Sequence, residues 1–217
     1  FLYGEQAPEP LLVTENGVQF ATYLNEGLMT GIFLDQKEVR GRLVDGFAVG
    51  KTVLNMFSYT GAFSVAAAMG GAVATTSVDL AKRSLPKTTE QFEVNHLNLA
   101  AQKIIVMDVF DYFKYASRKG LSYDMIILDP PSFARNKKKV FSVAKNYGEL
   151  VKDSIDILTD KGTLIASTNA ANLSLAKYQK MVITALQEKN VRYKITDTYQ
   201  LPADFQVNPN LDRKSVV

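Results

Sequence analysis

The chain has 217 residues and a formal net charge of +3 at pH 7, and 47% of its residues are hydrophobic, which is ordinary for a globular protein. The absence of cysteine excludes disulfides, thiolate metal ligands and a cysteine nucleophile, and a single histidine argues against a histidine metal cluster, so we expect no metal. No apolar run reaches the roughly 20 residues that span a bilayer. Nothing at the start is typical of a secretory signal, so we expect a cytoplasmic protein without a membrane anchor.

The first 35 residues predict a small β appendage. Two apolar-rich runs flank Asn16 and Gly17 in "LLVTENGVQFATY", and Asn-Gly between such runs is a strong hairpin signal. The segment "GIFL" then predicts a short strand that enters a charged helix near 36–46. Because the chain opens with Phe1 and ends abruptly at Val217, we expect it to belong to a longer protein.

Residues 36–217 predict a single α/β domain. Apolar, β-branched strand patterns cover 52–57, 72–79, 103–108, 123–129 and 162–168, and helical patterns cover 61–69, 81–95, 109–119, 141–158 and 174–189. Such alternation is typical of a doubly wound, mostly parallel sheet with helices on both faces. The closing segments 191–201 and 215–217 suit an added antiparallel pair, so we expect seven strands with an antiparallel last strand.

Three successive predicted strands end in aspartate: Asp79, Asp108 and Asp129. The carboxyl ends of parallel strands meet at one edge of a sheet, where ligands bind. Asp79 lies about 20 residues past the turn at Gly61, the spacing at which an acid meets ribose hydroxyls, and Asp108 could accept from an adenine amino group. The turn "FSYTGAF" lacks the glycines that hold a pyrophosphate, which favours S-adenosylmethionine over a dinucleotide. The alternative is that each aspartate caps the helix that follows it.

The motif "LDPPSF" suggests where a substrate would bind. Two consecutive prolines keep the chain extended and rigid at the strand end. Carbonyl groups near Asp129 and Pro130 can then accept from a substrate amino group, and Phe133 can stack on a planar base. The candidate catalytic residues are Asp129, Pro130, Pro131 and Phe133. The alternative is a loop that proline merely stiffens.

The stretches "FLDQKEVR", "VLNMFSYTGAFSVAAAMGGA", "SVDLAKRSL", "DVFDYF" and "DPPSFARNKKK" resemble the class I S-adenosylmethionine-dependent methyltransferases, and among these the large-subunit ribosomal RNA methyltransferases. The resemblance implies that Ser58, Tyr59 and Gly61 line the methionine end of the cofactor. It implies that "FLDQKEVR" covers the cofactor, with Asp35, Gln36 and Arg40 facing the site. It also implies an N-terminal PUA-type RNA-binding module outside this chain. The full set of candidate cofactor residues is Asp35, Gln36, Arg40, Asn55, Ser58, Tyr59, Gly61, Asp79, Leu80, Asp108, Val109 and Asp129.

The cytosine-C5 branch of this family carries a catalytic cysteine after the fifth strand, where this chain has Thr168 in "ASTNAANLS". Methylation at C5 needs a covalent thiolate adduct, which threonine supplies poorly. A guanine nitrogen has its own lone pair, and the branch that methylates it is similar to "DPPSFARNKKK" and "STNAANLS". We therefore expect a guanine nitrogen as the target. A cytosine-C5 enzyme, an inactive RNA-binding relative and a nicotinamide dehydrogenase remain as alternatives.

Basic residues follow the proline motif and could bind RNA phosphates. They are Arg135, Lys137, Lys138, Lys139 and Lys145. The alternative is a solvated loop. A base in structured RNA would have to be flipped out, with Phe133 or Tyr59 available to stack on it. We expect ribosomal RNA as partner and a structural role for His96, and a homodimer remains possible.

Overall fold

The computed structural model describes residues 4–27, 29–135, 140–170, 173–205 and 214–216. The N-terminal hairpin is confirmed: β1 (Leu11–Glu15) pairs antiparallel with β2 (Val18–Thr22). Its turn residues have positive φ angles, 50° at Asn16 and 76° at Gly17, which a two-residue hairpin turn requires. The hairpin packs on the rest of the chain, because Val18 and Phe20 share one buried cluster with residues of later elements. The domain boundary at residue 35 stays a prediction.

The predicted strand at 31–34 is wrong. Leu34–Gln36 form a 3-10 turn, which leads into α1 (Lys37–Arg42) and then a wide helical turn over Leu43–Phe47. Residues 31–33 do not pair as a strand because their backbone bonds to side chains instead. Gly31 accepts from the Thr60 hydroxyl and donates to the Tyr59 hydroxyl.

The remaining elements alternate as expected, with one exception. Phe133–Arg135 and Val140–Ser142 pair as two short antiparallel strands, so the helix predicted from residue 141 begins at Val143. In chain order they are β3 (Thr52–Met56), α2 (Ala62–Met69), β4 (Ala74–Asp79), α3 (Ser84–Glu93), β5 (Gln102–Val106), α4 (Val109–Arg118), β6 (Tyr123–Leu128), β7 (Phe133–Arg135), β8 (Val140–Ser142), α5 (Val143–Ile155), β9 (Leu158–Thr168), α6 (Leu175–Glu188), β10 (Thr198–Tyr199) and β11 (Lys214–Val216). Helix α3 begins three residues later than predicted, so that Pro86 lies in its first turn, where proline is tolerated.

The main sheet has the strand order β10-β11-β9-β6-β3-β4-β5. The five strands β9, β6, β3, β4 and β5 run parallel, and the two short strands at the other edge pair antiparallel. The predicted α/β class with a mostly parallel sheet is confirmed. The expected closing strand over 191–201 is limited to Thr198–Tyr199.

Helices cover both faces of this sheet. Side chains of α4, α5 and α6 form a buried cluster with Leu54 and Ile126 on one face, and side chains of α1 and α2 pack with Val53 and Ile127 on the other. Strand order reverses between β3 and β6, and the crevice at the carboxyl ends of strands at such a point is where ligands bind in open α/β sheets.

None of the helices in the described part of the chain has the length and apolar character that a membrane span requires.

Candidate active site at the carboxyl edge of the sheet

A cavity of about 350 Å³ opens where β3, β4, β5 and β6 end. Its volume lies within the range of small-molecule sites, about 300–1,000 Å³. All three strand-end aspartates line it. The predicted site residues that it brings together are Gln36, Arg40, Ser58, Tyr59, Asp79, Leu80, Asp108, Val109, Asp129, Pro130 and Pro131.

The loop after β3 turns tightly. Phe57, Tyr59 and Gly61 have φ angles of 58°, 52° and 78°, a left-handed conformation that costs non-glycine residues energy and is common at functional sites. A Cβ atom at Gly61 would lie 2.5 Å from Cγ2 of Thr88, so glycine is required there for space as well as for φ. Gly61 therefore shapes the loop and does not line the cavity itself.

Asp79 at the end of β4 holds this loop in place. Its Oδ2 accepts from the backbone N–H of Tyr59 at 2.9 Å, and its Oδ1 accepts from that of Ala81 at 2.8 Å. A carboxylate has about four acceptor positions, so these two bonds leave it able to accept from a ligand. Asp79 is both a loop anchor and part of the cavity lining.

Asp108 has the capping role that was the alternative interpretation. It is the N-cap of α4, and its Oδ1 accepts from the N–H groups of Phe110 and Asp111 at 3.0 and 3.4 Å. It nevertheless lines the cavity together with Val109. The backbone N–H of Met107 donates to the carbonyl of Asp79 at 3.0 Å, which holds the ends of β4 and β5 side by side.

The proline loop after β6 is anchored by the end of β9. The Ser167 hydroxyl donates to Asp129 Oδ1 at 2.7 Å and lies 3.1 Å from the carbonyl of Leu128. The Ser132 hydroxyl donates to Asn169 Oδ1, also at 2.7 Å. Two contacts from one strand end thus hold both ends of the loop.

The segment before α1 forms another part of the wall through Met29, Gly31, Ile32, Phe33 and Gln36. The Tyr59 hydroxyl donates to the carbonyl of Met29 at 2.8 Å and accepts from the N–H of Gly31 at 3.0 Å. The rings of Phe33 and Tyr59 have centroids 5.4 Å apart. Burial raises the pKa of the Tyr59 phenol above its ordinary value, because the ionised form would lose part of its hydration in the wall.

Arg40 reaches the cavity but is engaged inside the protein. Its side chain is 3% exposed, and its guanidinium donates to both carboxylate oxygens of Glu15 at 2.7 and 2.8 Å and to the carbonyl of Phe33 at 2.9 Å. Arg40 therefore joins the hairpin to the cavity wall.

Four predicted site residues do not line the cavity in the described part of the chain: Asp35, Asn55, Gly61 and Phe133. Asn55 is fully buried in β3, where its amide donates to the Ser64 hydroxyl at 3.0 Å. Phe133 lies in β7 with 61% of its surface exposed. Of the basic residues, Lys145 is exposed on α5 and Arg135 ends β7, while Lys137, Lys138 and Lys139 lie outside the described residues.

The sequence did not reveal an aromatic wall of the cavity. Phe57, Phe110 and Phe141 line it, and the ring of Phe141 lies 5.9 Å from that of Phe57 and 6.1 Å from that of Phe110. The run "VFDYFKYA" has the spacing of a helical core stripe, and Tyr112 and Phe113 are buried in the core, while Phe110 packs against that core and also lines the cavity. Its position two residues after the strand-end aspartate was the available signal.

Asn169 is a further lining residue that the sequence did not predict. The segment "STNAANLS" indicated a branch of the family but no role for this side chain. Asn169 lines the cavity, whereas the preceding Thr168 is fully buried and its Oγ1 accepts from the N–H of Ala170 at 3.1 Å. Thr168 stands where a C5 enzyme would carry its cysteine, and it does not reach the cavity. Within the described ranges, no three acidic or histidine side chains gather closely enough to hold a metal ion.

The sequence profile of the S-adenosylmethionine-dependent methyltransferases matches residues 1–208. The chain belongs to this family. It is 56% identical over 206 residues to YwbD of Bacillus subtilis, named as a candidate ribosomal RNA large subunit methyltransferase, covering 95% of the chain and 52% of that protein. It is 34% identical to a ribosomal RNA large subunit methyltransferase of Deinococcus radiodurans, covering 89% of the chain and 47% of that protein.

A crystal structure of SMU.776, a candidate methyltransferase complexed with SAH, superposes on this methyltransferase chain with a TM-score of 0.93 at 54% identity. The match covers 99% of the chain and 57% of that protein. The chain thus spans about half the length of the proteins that it matches.

The cavity suits the cofactor of the family. S-adenosylmethionine combines ribose hydroxyls and an adenine amino group, which donate hydrogen bonds, with a sulfonium and an ammonium cation, which favour acceptors and negative charge. Three carboxylates, apolar Leu80 and Val109, and the aromatic wall supply matching chemistry. The predicted cofactor, S-adenosylmethionine, is confirmed by family membership and by the SAH-bound structure.

Proposed function

We propose that this protein methylates a base of large-subunit ribosomal RNA, at a guanine nitrogen. The observation that carries the proposal is the single cavity in which the acidic ends of β4, β5 and β6 meet the rigid proline loop. The names of the relatives, which are large-subunit ribosomal RNA methyltransferases, support the substrate. A role in modifying ribosomal RNA also agrees with a cytoplasmic location.

Each strand end takes one part of the cofactor in this proposal. Asp79 accepts from the ribose hydroxyls, and Asp108 with Val109 holds the adenine. Ser58 and Tyr59 contact the methionine end, and Asp129 with Pro131 lies next to the methyl group. When bound, the cofactor supplies an electrophilic methyl carbon on a sulfonium.

The chain's own residues then have one task, which is to hold the base in line with the methyl carbon. A guanine ring nitrogen carries its own lone pair, so alignment of the reacting atoms suffices without a covalent catalyst. Thr168 supports this choice over cytosine C5, since its hydroxyl is buried and bonded to the backbone and the C5 reaction needs an activated nucleophile.

The RNA would approach the face that carries the proline loop. Exposed Lys145 on α5 would neutralise RNA phosphates and set the register without reading bases. The proposal extends by sequence alone to Arg135, Lys137, Lys138 and Lys139. Phe133 is exposed enough to stack on a flipped base. A homodimer stays a prediction.

Nucleoside mass spectrometry tests the proposal. Large-subunit ribosomal RNA from cells that lack the protein should miss one methylated guanosine, and re-expression of the full-length protein should restore it. A missing 5-methylcytidine would contradict the guanine assignment. An unchanged set of modified nucleosides would identify a binding protein without this activity.

A further inference from the structure

Asn169 has no role in the account so far, although it lines the cavity. The structure describes all six residues from 165 to 170, and Asn169 is the only exposed one among them. The chain therefore presents one amide at the point where β9 ends beside the proline loop. An amide carries both an acceptor and two donors, so it can hydrogen-bond to the edge of a base.

The orientation of this amide is set by its neighbour. The Ser132 hydroxyl donates to Asn169 Oδ1 at 2.7 Å, so the oxygen is engaged as an acceptor. Ser132 is itself fixed, because its carbonyl accepts from the backbone N–H of Val143 at 3.2 Å, at the start of α5. The Nδ2 group of Asn169, which has only donors, is thereby turned away from Ser132.

We propose that Asn169 reads the target base by donating from Nδ2 to its carbonyl oxygen, O6 of guanine. This inference rests on the proposed function and deepens it. Guanine presents the acceptors O6 and N7 on one edge, whereas cytosine presents an amino donor at C4 beside C5. A donor held at this position therefore favours guanine and opposes cytosine. Ser132 acts as a positioning residue, because its hydroxyl holds the Asn169 side chain at the cavity wall.

The choice of base by Asn169 is separate from the work of Asp129. Asp129 on the proline loop accepts from the Ser167 hydroxyl, and Asn169 after β9 accepts from the Ser132 hydroxyl, so a different hydroxyl contacts each of the two side chains. Removing the Asn169 amide should lower the selectivity for the base while leaving the cofactor site intact.

The experiment uses the full-length protein and a synthetic fragment of large-subunit ribosomal RNA that contains the mapped guanine. A second fragment carries 2-aminopurine at that position, which lacks O6. With the guanine fragment, Asn169→Ala should reduce kcat/KM about 10- to 100-fold, in line with the loss of a specific base contact. Calorimetry should show unchanged S-adenosylmethionine affinity. Asn169→Asp should be at least as impaired, because a carboxylate would face O6. Ser132→Ala should lose less than Asn169→Ala.

The decisive comparison is between the two fragments. Loss of O6 should reduce kcat/KM of the wild type far more than that of Asn169→Ala, since the variant no longer uses O6. The altered base also differs in intrinsic reactivity, but this difference affects both proteins equally and cancels when their losses are compared. If the two losses multiply, the inference is wrong. If the wild type transfers no methyl group to guanine, the proposed function fails and this inference fails with it.

Asn190→Asp is the matched control. It makes the same chemical change at an exposed residue after α6, and α6 runs back from the carboxyl edge, so Asn190 lies at the opposite edge of the sheet. It should behave like the wild type with both fragments. An equal loss in this control would show that the effect of Asn169→Asp comes from charge alone, which would overturn the inference.

Discussion

Strand β6 has an aspartate near each end, and the two have different surroundings. Asp124, near its start, accepts from the N–H and hydroxyl of Thr52 at 2.9 and 2.8 Å and from the hydroxyl of Thr159 at 3.1 Å. Asp129, after its end, accepts from Ser167 and lines the cavity. The strands are parallel, so the same residue type ties neighbouring strands together at one edge and faces a ligand at the other.

The comparison separates stability from function. An acid whose described hydrogen bonds come from neighbouring strands contributes to folding, whereas an acid that lines a cavity stands where a ligand can reach it. A substitution of an acid in the cavity should therefore change activity or cofactor binding and leave stability nearly unchanged. A substitution of Asp124 should do the reverse.

Asp129→Ala should have the largest effect. Methyl transfer should fall about 100-fold or more, because loss of a positioned group next to the reacting atoms removes alignment. The melting temperature should change little, since the Ser167 hydroxyl keeps its contact with the carbonyl of Leu128. Single-turnover transfer of labelled methyl groups measures the first, and thermal unfolding the second. Full activity in a folded variant would remove Asp129 from the site.

Asp79→Ala should weaken the binding of S-adenosylmethionine by about 1.5–3 kcal/mol, the range for hydrogen bonds to a charged group. The loss has two sources, the ribose contacts and the anchor for the N–H of Tyr59. Isothermal titration gives the affinity, with Asp124→Ala as the control that should bind normally. Equal affinity in the Asp79 variant and the wild type would place the cofactor elsewhere.

Asp124→Ala should cost stability instead. We expect a loss of about 1.5–3 kcal/mol in the free energy of unfolding, again from charged hydrogen bonds, with unchanged cofactor affinity in the folded protein. Urea denaturation monitored by circular dichroism measures the loss. A variant as stable as the wild type would mean that the Thr52 contacts contribute nothing net.

The contribution of Asp124 should also depend on pH. Hydrogen bonds from the N–H and then the hydroxyl of Thr52 lower the pKa of this carboxyl. Its stabilisation is therefore fully present above the pKa of the unfolded state and is lost as the pH falls through the lower pKa of the folded state. The stability difference between wild type and Asp124→Asn should be constant near neutral pH and shrink in acid. A difference that grew in acid would contradict the assignment.

The sequence predicted that the three strand-end aspartates lie together, and all three line one cavity. Asp79, Asp108 and Asp129 each follow an apolar run, and the alternation of strands and helices places such residues at one edge of a sheet. Those positions depend on the local hydrophobic pattern and on the rule that parallel strands end at one edge of a sheet. Both can be recognised in the sequence alone.

The sequence could not show how side chains share their hydrogen bonds. The sequence predicted that Arg40 faces the cofactor site. In the structure its guanidinium forms an ion pair with Glu15 of the hairpin. The amide of Asn55 donates to the Ser64 hydroxyl, and Oδ1 of Asn169 accepts from the Ser132 hydroxyl. Each of these depends on contacts between distant segments, which no spacing rule predicts. The same holds for Phe110, which packs against the core and also lines the cavity.

The most direct test is a crystal structure of the full-length protein with S-adenosylhomocysteine. The account predicts the ribose at Asp79, the adenine beside Asp108 and Val109, and the sulfur facing Asp129. A ligand bound outside this cavity, or carboxylates of Asp79 and Asp129 that both turn away from it, would contradict the account.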